Sequence, residues 1–134
     1  MPESYGYGRF VDHCMAGFRS FGIDPLSMER NPELLREGGF ERVEERVWKV
    51  PIGTWPRDPK MKTVGVYNRS MLIDALQAVS MAPLTRGLKW TREEVELFLI
   101  EVRRSLMNAS IHSYLTFHAV YGQKPVGAPT AAAP

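Results

Sequence analysis

Residues 112–122 read HSYLTFHAVYG. Aromatic and β-branched side chains dominate this run and Gly122 closes it, which is the composition of a β-strand. Successive residues of a strand point to opposite faces. Tyr114 and Val120 therefore fall on one face, and Leu115, Phe117, Ala119 and Tyr121 on the other. A strand that is apolar on both faces belongs in the middle of a sheet covered by helices. The run asks for neighbouring strands and for helical cover.

One neighbour is legible upstream. In ERVEERVWKVPIG, residues 41–53, the β-formers Val43, Val47, Trp48, Val50 and Ile52 predict a strand over 43–52. It starts among Glu44, Glu45 and Arg46, which suit solvent, and becomes more buried toward Pro51, where it must end or lie at an edge. No third strand is convincing, and two strands alone make a marginal sheet in water. Either another polypeptide supplies neighbours or the helices cover the strands. Without such neighbours the chain is expected to be poorly packed.

The remaining segments read as about four helices. Phe10, Val11, Cys14, Phe18 and Phe21 recur at helical spacing over 7–22, with Gly22 and Pro25 as stops. A short helix over Pro32–Glu37 takes Asn31 as its cap, Gly38 as its left-handed terminus, and Leu34, Leu35 and Phe40 as its buried side. TWPRDPKMK reads as a loop, because prolines fall close together in it. From about Tyr67 a long helix should bury Met71, Leu72, Ala75, Leu76, Val79 and Ala82, and Pro83 should end or kink it. Thr91 with Glu94 forms a capping box that starts the last helix, whose stripe is Val95, Phe98, Leu99, Val102 and Leu106.

Composition sets limits on function. The chain has 134 residues, 44% of them hydrophobic and 24% charged, a globular balance for one domain. A net charge of +2, with the basic residues scattered, gives no footprint for nucleic acid. One cysteine, Cys14, allows no intrachain disulfide, and no stretch reads as a signal peptide or a membrane span. Those features point to an intracellular protein, cytoplasmic or nuclear. His13, His112 and His118 do not make a metal triad: His112 and His118 fall on one strand face about 20 Å apart at the rise of a strand. Cys14 sits in a helical stripe away from basic residues and reads as an inert buried thiol. Arg86 reads as a structural charge near a helix end.

Three blocks carry a resemblance: P-I-G-x-W-P (Pro51, Ile52, Gly53, Trp55, Pro56), T-R-G-L-x-W-T-x-E-E (Thr85 to Glu94), and H-x-Y with V-Y-G-x-K-P (His112, Tyr114, Val120 to Pro125). With the segments around them they resemble the C-terminal part of the fungal LaeA-like methyltransferases, which carry the TAM or methyltransferase-23 domain. The resemblance implies a class I methyltransferase fold, α/β as a whole and α+β as a fragment, with two main antiparallel strands present and the first five strands absent. Strand 43–52 would be the sixth of that sheet and 112–121 the seventh. Residues 1–6 would be an extension, 7–125 the C-terminal part of the domain with lid helices at about 67–108, and 126–134 a disordered tail.

Such enzymes bind S-adenosylmethionine through a glycine-rich turn after the first strand. The one G-x-G here, Gly6-Tyr7-Gly8, has neither a preceding strand nor a third glycine, so the chain alone is expected to bind no cofactor. In the intact family the loop before the lid faces a small-molecule substrate, which makes Trp55, Met61, Tyr67 and Met71 the substrate-lining candidates. No catalytic, cofactor or metal residue is assigned. Two functions are implied. One is methyl transfer to a small secondary metabolite, with a protein partner completing the sheet and cofactor site. The other is a non-catalytic interaction module of a biosynthetic or regulatory assembly.

Overall fold

The computed structural model of the chain describes residues 5–126. In chain order it has helix α1 (Gly6–Arg19), a 3-10 turn (Ser27–Arg30), helix α2 (Asn31–Glu37) and strand β1 (Glu41–Pro51). Helix α3 (Pro59–Ala82), a π-helical turn (Pro83–Gly87), helix α4 (Arg92–Met107) and strand β2 (Tyr114–Gln123) follow. The class is α/β, and the two strands form a single two-stranded sheet. Lys49 lies against Tyr114 and Glu45 against His118, so the numbering runs in opposite senses and the pair is antiparallel. The chain divides into two compact units, one holding residues up to Pro25 with Lys49–Leu115, the other Leu26–Trp48 with the chain from Thr116 onward.

The first unit is a helical core. Helices α1, α3 and α4 pack on one another and on the π-helical turn. Phe10, Cys14, Leu76, Leu84, Leu99 and Val102 are buried at its centre. Helix α4 forms where its sequence signals place it. Thr91 Oγ1 accepts from the Glu94 N–H at 3.1 Å, and Glu94 Oε2 accepts from the Thr91 N–H at 2.7 Å. Such a box contributes about 1 kcal/mol through the Thr91 cap. Val95, Leu99, Val102 and Leu106 are buried, and Phe98 packs at their margin. Among the described residues every buried side-chain polar atom has a hydrogen-bond partner. Poor packing, expected of the whole chain, is therefore not a property of this unit: its helices bury one another, together with Pro51 at the end of β1 and Leu115 of β2.

Helix α3 departs from its expected start and face. It begins at Pro59 rather than near Tyr67, because Asp58 caps it, accepting from the Met61 N–H at 2.8 Å, and Pro59 suits the first helical position. Its buried line is Gly65, Asn68, Leu76 and Ser80, with Leu72 partly buried; Met71, Val79 and Ala82 face solvent instead. A hydrophobic pattern misses this face because its contacts rest on a glycine and two polar residues. Pro83 ends the helix as expected, by widening it into the π-helical turn. Against that turn lies Gly17, where a Cβ would stand 2.3 Å from the Pro83 carbonyl oxygen.

The second unit is thinner. Helix α2 packs on the 3-10 turn, and only its Pro32 is buried. Asn31 is the first helical residue rather than a side-chain cap, and the left-handed glycine is Gly39 (φ 81°) instead of Gly38. Leu34 and Phe40, expected to be buried, are exposed, because a helix of seven residues on a single turn has too little surface to cover them. The sheet residues here are exposed on both faces: Val47 51%, Trp48 50%, Phe117 47% and Tyr121 44%. By the register that sets Glu45 opposite His118, Trp48, Phe117 and Tyr121 share one face and Val47 lies on the other. Helix α2 of this unit thus leaves these side chains exposed. Tyr5, placed in the expected extension, is buried in the first unit, and residues 127–134 of the expected tail lie outside the described residues.

Candidate functional site

The Pro51–Pro56 block builds a site in the first unit where several chemical groups converge. Leaving the ladder, the chain makes a last backbone bond from the Ile52 N–H to the Ser113 carbonyl at 3.0 Å. The Trp55 indole N–H donates to the same carbonyl at 3.0 Å. Gly53 turns the chain at φ 95°, where a side chain would be strained, and its N–H donates to the Gly65 carbonyl at 2.9 Å. Asn68 Nδ2 donates to the Pro51 carbonyl at 2.9 Å, which satisfies a buried amide on α3 and ties the block to that helix. The indole is held on one face by His112, stacked at 4.9 Å between centroids.

These constraints shape a cleft of about 350 Å³. Its apolar lining includes Pro51, Trp55, Pro56, Met61 and Tyr114. Lys49 and Arg57 bring cationic groups, and the Lys49 ammonium stands 4.8 Å from the centre of the Tyr114 ring. Asp58 also lines the cleft, with Oδ1 accepting from the Met61 N–H.

Of the four residues singled out in the sequence, Trp55 and Met61 meet in this cleft. Tyr67 (72% exposed) and Met71 stand on the solvent side of α3 and do not line it. Lys49, Arg57 and Tyr114 escaped sequence reasoning, because antiparallel pairing alone does not fix the register that sets Lys49 beside Tyr114. His112 precedes β2 rather than lying on it, so the shared strand face with His118 does not exist. His118 pairs with Glu45 at 2.7 Å in the second unit, and His13 packs edge-on against Trp90 and Phe98. Among the described residues no three His, Cys, Asp or Glu side chains are grouped to hold a metal. No helix among them is long and apolar enough to cross a membrane. Arg86 falls in the last turn of the π-helical segment, at an exposed position.

Gly6-Tyr7-Gly8 does not fit an adenosyl cofactor. The three residues open α1 and are buried, and the Tyr7 N–H is already engaged by Ser105 Oγ at 2.9 Å. A Cβ at Gly6 would meet the same Oγ at 3.2 Å, so this glycine serves close helix packing.

Burial pushes the Cys14 thiol from its ordinary 9.0 up to about 11. It also pushes the Tyr7 hydroxyl, helped by the charges of Tyr5 and Cys14, from 10.0 to about 12. In the unfolded chain both protons leave earlier, so above about pH 9 the unfolded state binds fewer protons and stability falls as pH rises. Thermal unfolding should show a melting temperature that declines across pH 9 to 11, with a shallower decline in Cys14→Ala. A flat or rising profile would mean that neither group is buried as described.

Comparison with known proteins gives the affiliation. No family model matches the chain, and no solved structure does. Among curated proteins, the secondary metabolism regulator LAE1 of Cochliobolus heterostrophus is 35% identical over 121 residues, 89% of this chain and 38% of that protein. The methyltransferase pytC of Aspergillus terreus is 34% identical over 127 residues, 92% of this chain and 38% of its own length. A probable methyltransferase of Emericella nidulans, tdiE, is 35% identical over 91 residues, 68% of this chain and 29% of that protein. By name these are methyltransferases and regulators of fungal secondary metabolism. The chain belongs to the LaeA-like family, and it spans about 38% of the length of the first two relatives.

Proposed function

We propose that this chain is the substrate-side, sheet-closing portion of a class I methyltransferase that methylates a small molecule of fungal secondary metabolism inside the cell. S-adenosylmethionine is the methyl donor in this reading, held by polypeptide outside the 134 residues, in a partner or in a longer form of the protein. The observation that supports it is the two-faced ribbon of β1 and β2. Val47, Trp48, Phe117 and Tyr121 give it apolar side chains on both faces, and about half of each is in contact with solvent. Strands of this kind are ordinarily interior members of a larger covered sheet. Helices α3 and α4 are then the lid, and the cleft at Trp55 and Met61 takes the substrate. Tyr67 and Met71 become substrate-lining only where added polypeptide covers the exposed side of α3.

The test is methyl transfer with labelled S-adenosylmethionine and fungal small-molecule extracts. The chain alone should transfer no label, whereas a chimera in which it replaces the matching part of pytC should transfer it. Transfer by the chain alone, or a folded chimera that binds neither donor nor substrate, would contradict the reading.

A non-catalytic role has one observation in its favour. Helix α4 exposes Leu97 (68%), Ile100 and Met107 on one outer face, interleaved with the charges of Glu93 and Arg104. Capture of a defined protein partner, abolished by Leu97→Asp and accompanied by no methyl transfer from the chimera, would favour this second reading.

A further inference from the structure

We infer that the cleft between β1, α3 and the start of β2 selects a planar aromatic ligand that carries a carboxylate. This rests on the reading of the cleft as a small-molecule site and adds the class of molecule. Its size, about 350 Å³, suits a group of one or two rings. The walls are flat and apolar: the Trp55 indole, fixed by its bond to Ser113 and by the His112 stack, the Tyr114 ring, and Pro51 and Pro56. Flat rigid walls favour a flat occupant, because stacking on them orders little that was mobile.

Charge sets the second requirement. Lys49 and Arg57 both line the cleft, and the ion pairs among the described residues run between other groups: Arg9 with Glu101, Arg46 with Glu44, and Glu45 with His118. Asp58 is the opposing charge and accepts from the N–H of Met61 at the start of α3, which leaves two cationic side chains against one carboxylate in the lining. A carboxylate in the cleft would accept from the ammonium and the guanidinium, the latter in a two-pronged fork. A neutral amide of the same shape keeps the stacking and loses the charge-assisted bonds.

The probes are cinnamate and its uncharged isostere cinnamamide, titrated onto the nitrogen-labelled full chain. The reporter is the Trp55 indole N–H signal, assigned with Trp55→Phe. Cinnamate should move that signal saturably, and cinnamamide should bind about tenfold more weakly, the usual margin of a charge-assisted bond over a neutral one. Lys49→Gln and Arg57→Gln should each narrow that preference and together remove it, while Lys49→Arg should keep it. Equal affinity for the two probes would overturn the charge selection and leave the small-molecule reading of the cleft standing. If neither probe moves the Trp55 signal, both fall.

Discussion

Replacing Gly65 with alanine is expected to lower stability by about 3 kcal/mol, against the usual sign of a glycine-to-alanine change in a helix. At an exposed helical position that change stabilises by about 1 kcal/mol. Here the new Cβ would stand 2.1 Å from the Gly53 carbonyl oxygen, a backbone atom that cannot rotate away. Either α3 shifts or the Pro51–Pro56 block does. The block is held to α3 through Gly53 to Gly65 and Asn68 to Pro51, so its displacement moves Trp55 and opens the cleft. Two readouts should change together: the melting temperature, down by roughly 10 °C or more for a chain of this size, and the Trp55 indole signal. Val66→Ala, an exposed neighbour on the same helix, should stay within about 0.5 kcal/mol of the parent. An unchanged or raised melting temperature in Gly65→Ala would mean that the Pro51–Pro56 block does not approach α3 as described.

The second large effect should come from Leu99→Ala, at about 3 kcal/mol. Leu99 is fully buried in the first unit, among Val95, Val102 and Leu76. Truncation removes its transfer free energy and leaves a cavity that three packed helices cannot easily close. Because the second unit shares none of that core, hydrogen exchange should accelerate most in α1, α3 and α4, with the amides of Leu26–Trp48 changing least. A loss below about 1 kcal/mol would place Leu99 outside a well-packed core.

The contrast between these sites marks how far the amino-acid sequence could be read. Helix α4 was legible in full, since Thr91 and Glu94 cap it and Val95, Leu99, Val102 and Leu106 bury its stripe, all through local rules. The two strands were legible for the same reason, whereas their antiparallel pairing followed only from the family resemblance. Helix α3 was legible only in its existence. Its start depends on Asp58 and Pro59, inside a segment whose prolines read as a loop. Its buried face depends on Gly65, Asn68 and Ser80, which join the interior because a backbone approaches closely at the first and Asn68 finds a carbonyl partner in Pro51. Tyr67 and Met71 are on the wrong side for the cleft as a consequence. Half of the site candidates were placed together, Trp55 and Met61, because both flank the turn at Gly53 and Asp58. Lys49 and Tyr114 needed the strand register in three dimensions, and Arg57 the path of the loop before α3.

The most direct test of the central claim is calorimetric titration of S-adenosylmethionine onto the purified 134-residue chain. With Gly6 and Gly17 of α1 in close helix packing, and the donor site proposed to lie in other polypeptide, no saturable binding should appear at millimolar donor. Stoichiometric binding with a micromolar dissociation constant, about −8 kcal/mol, would contradict the account, because these residues would then form a donor site of their own.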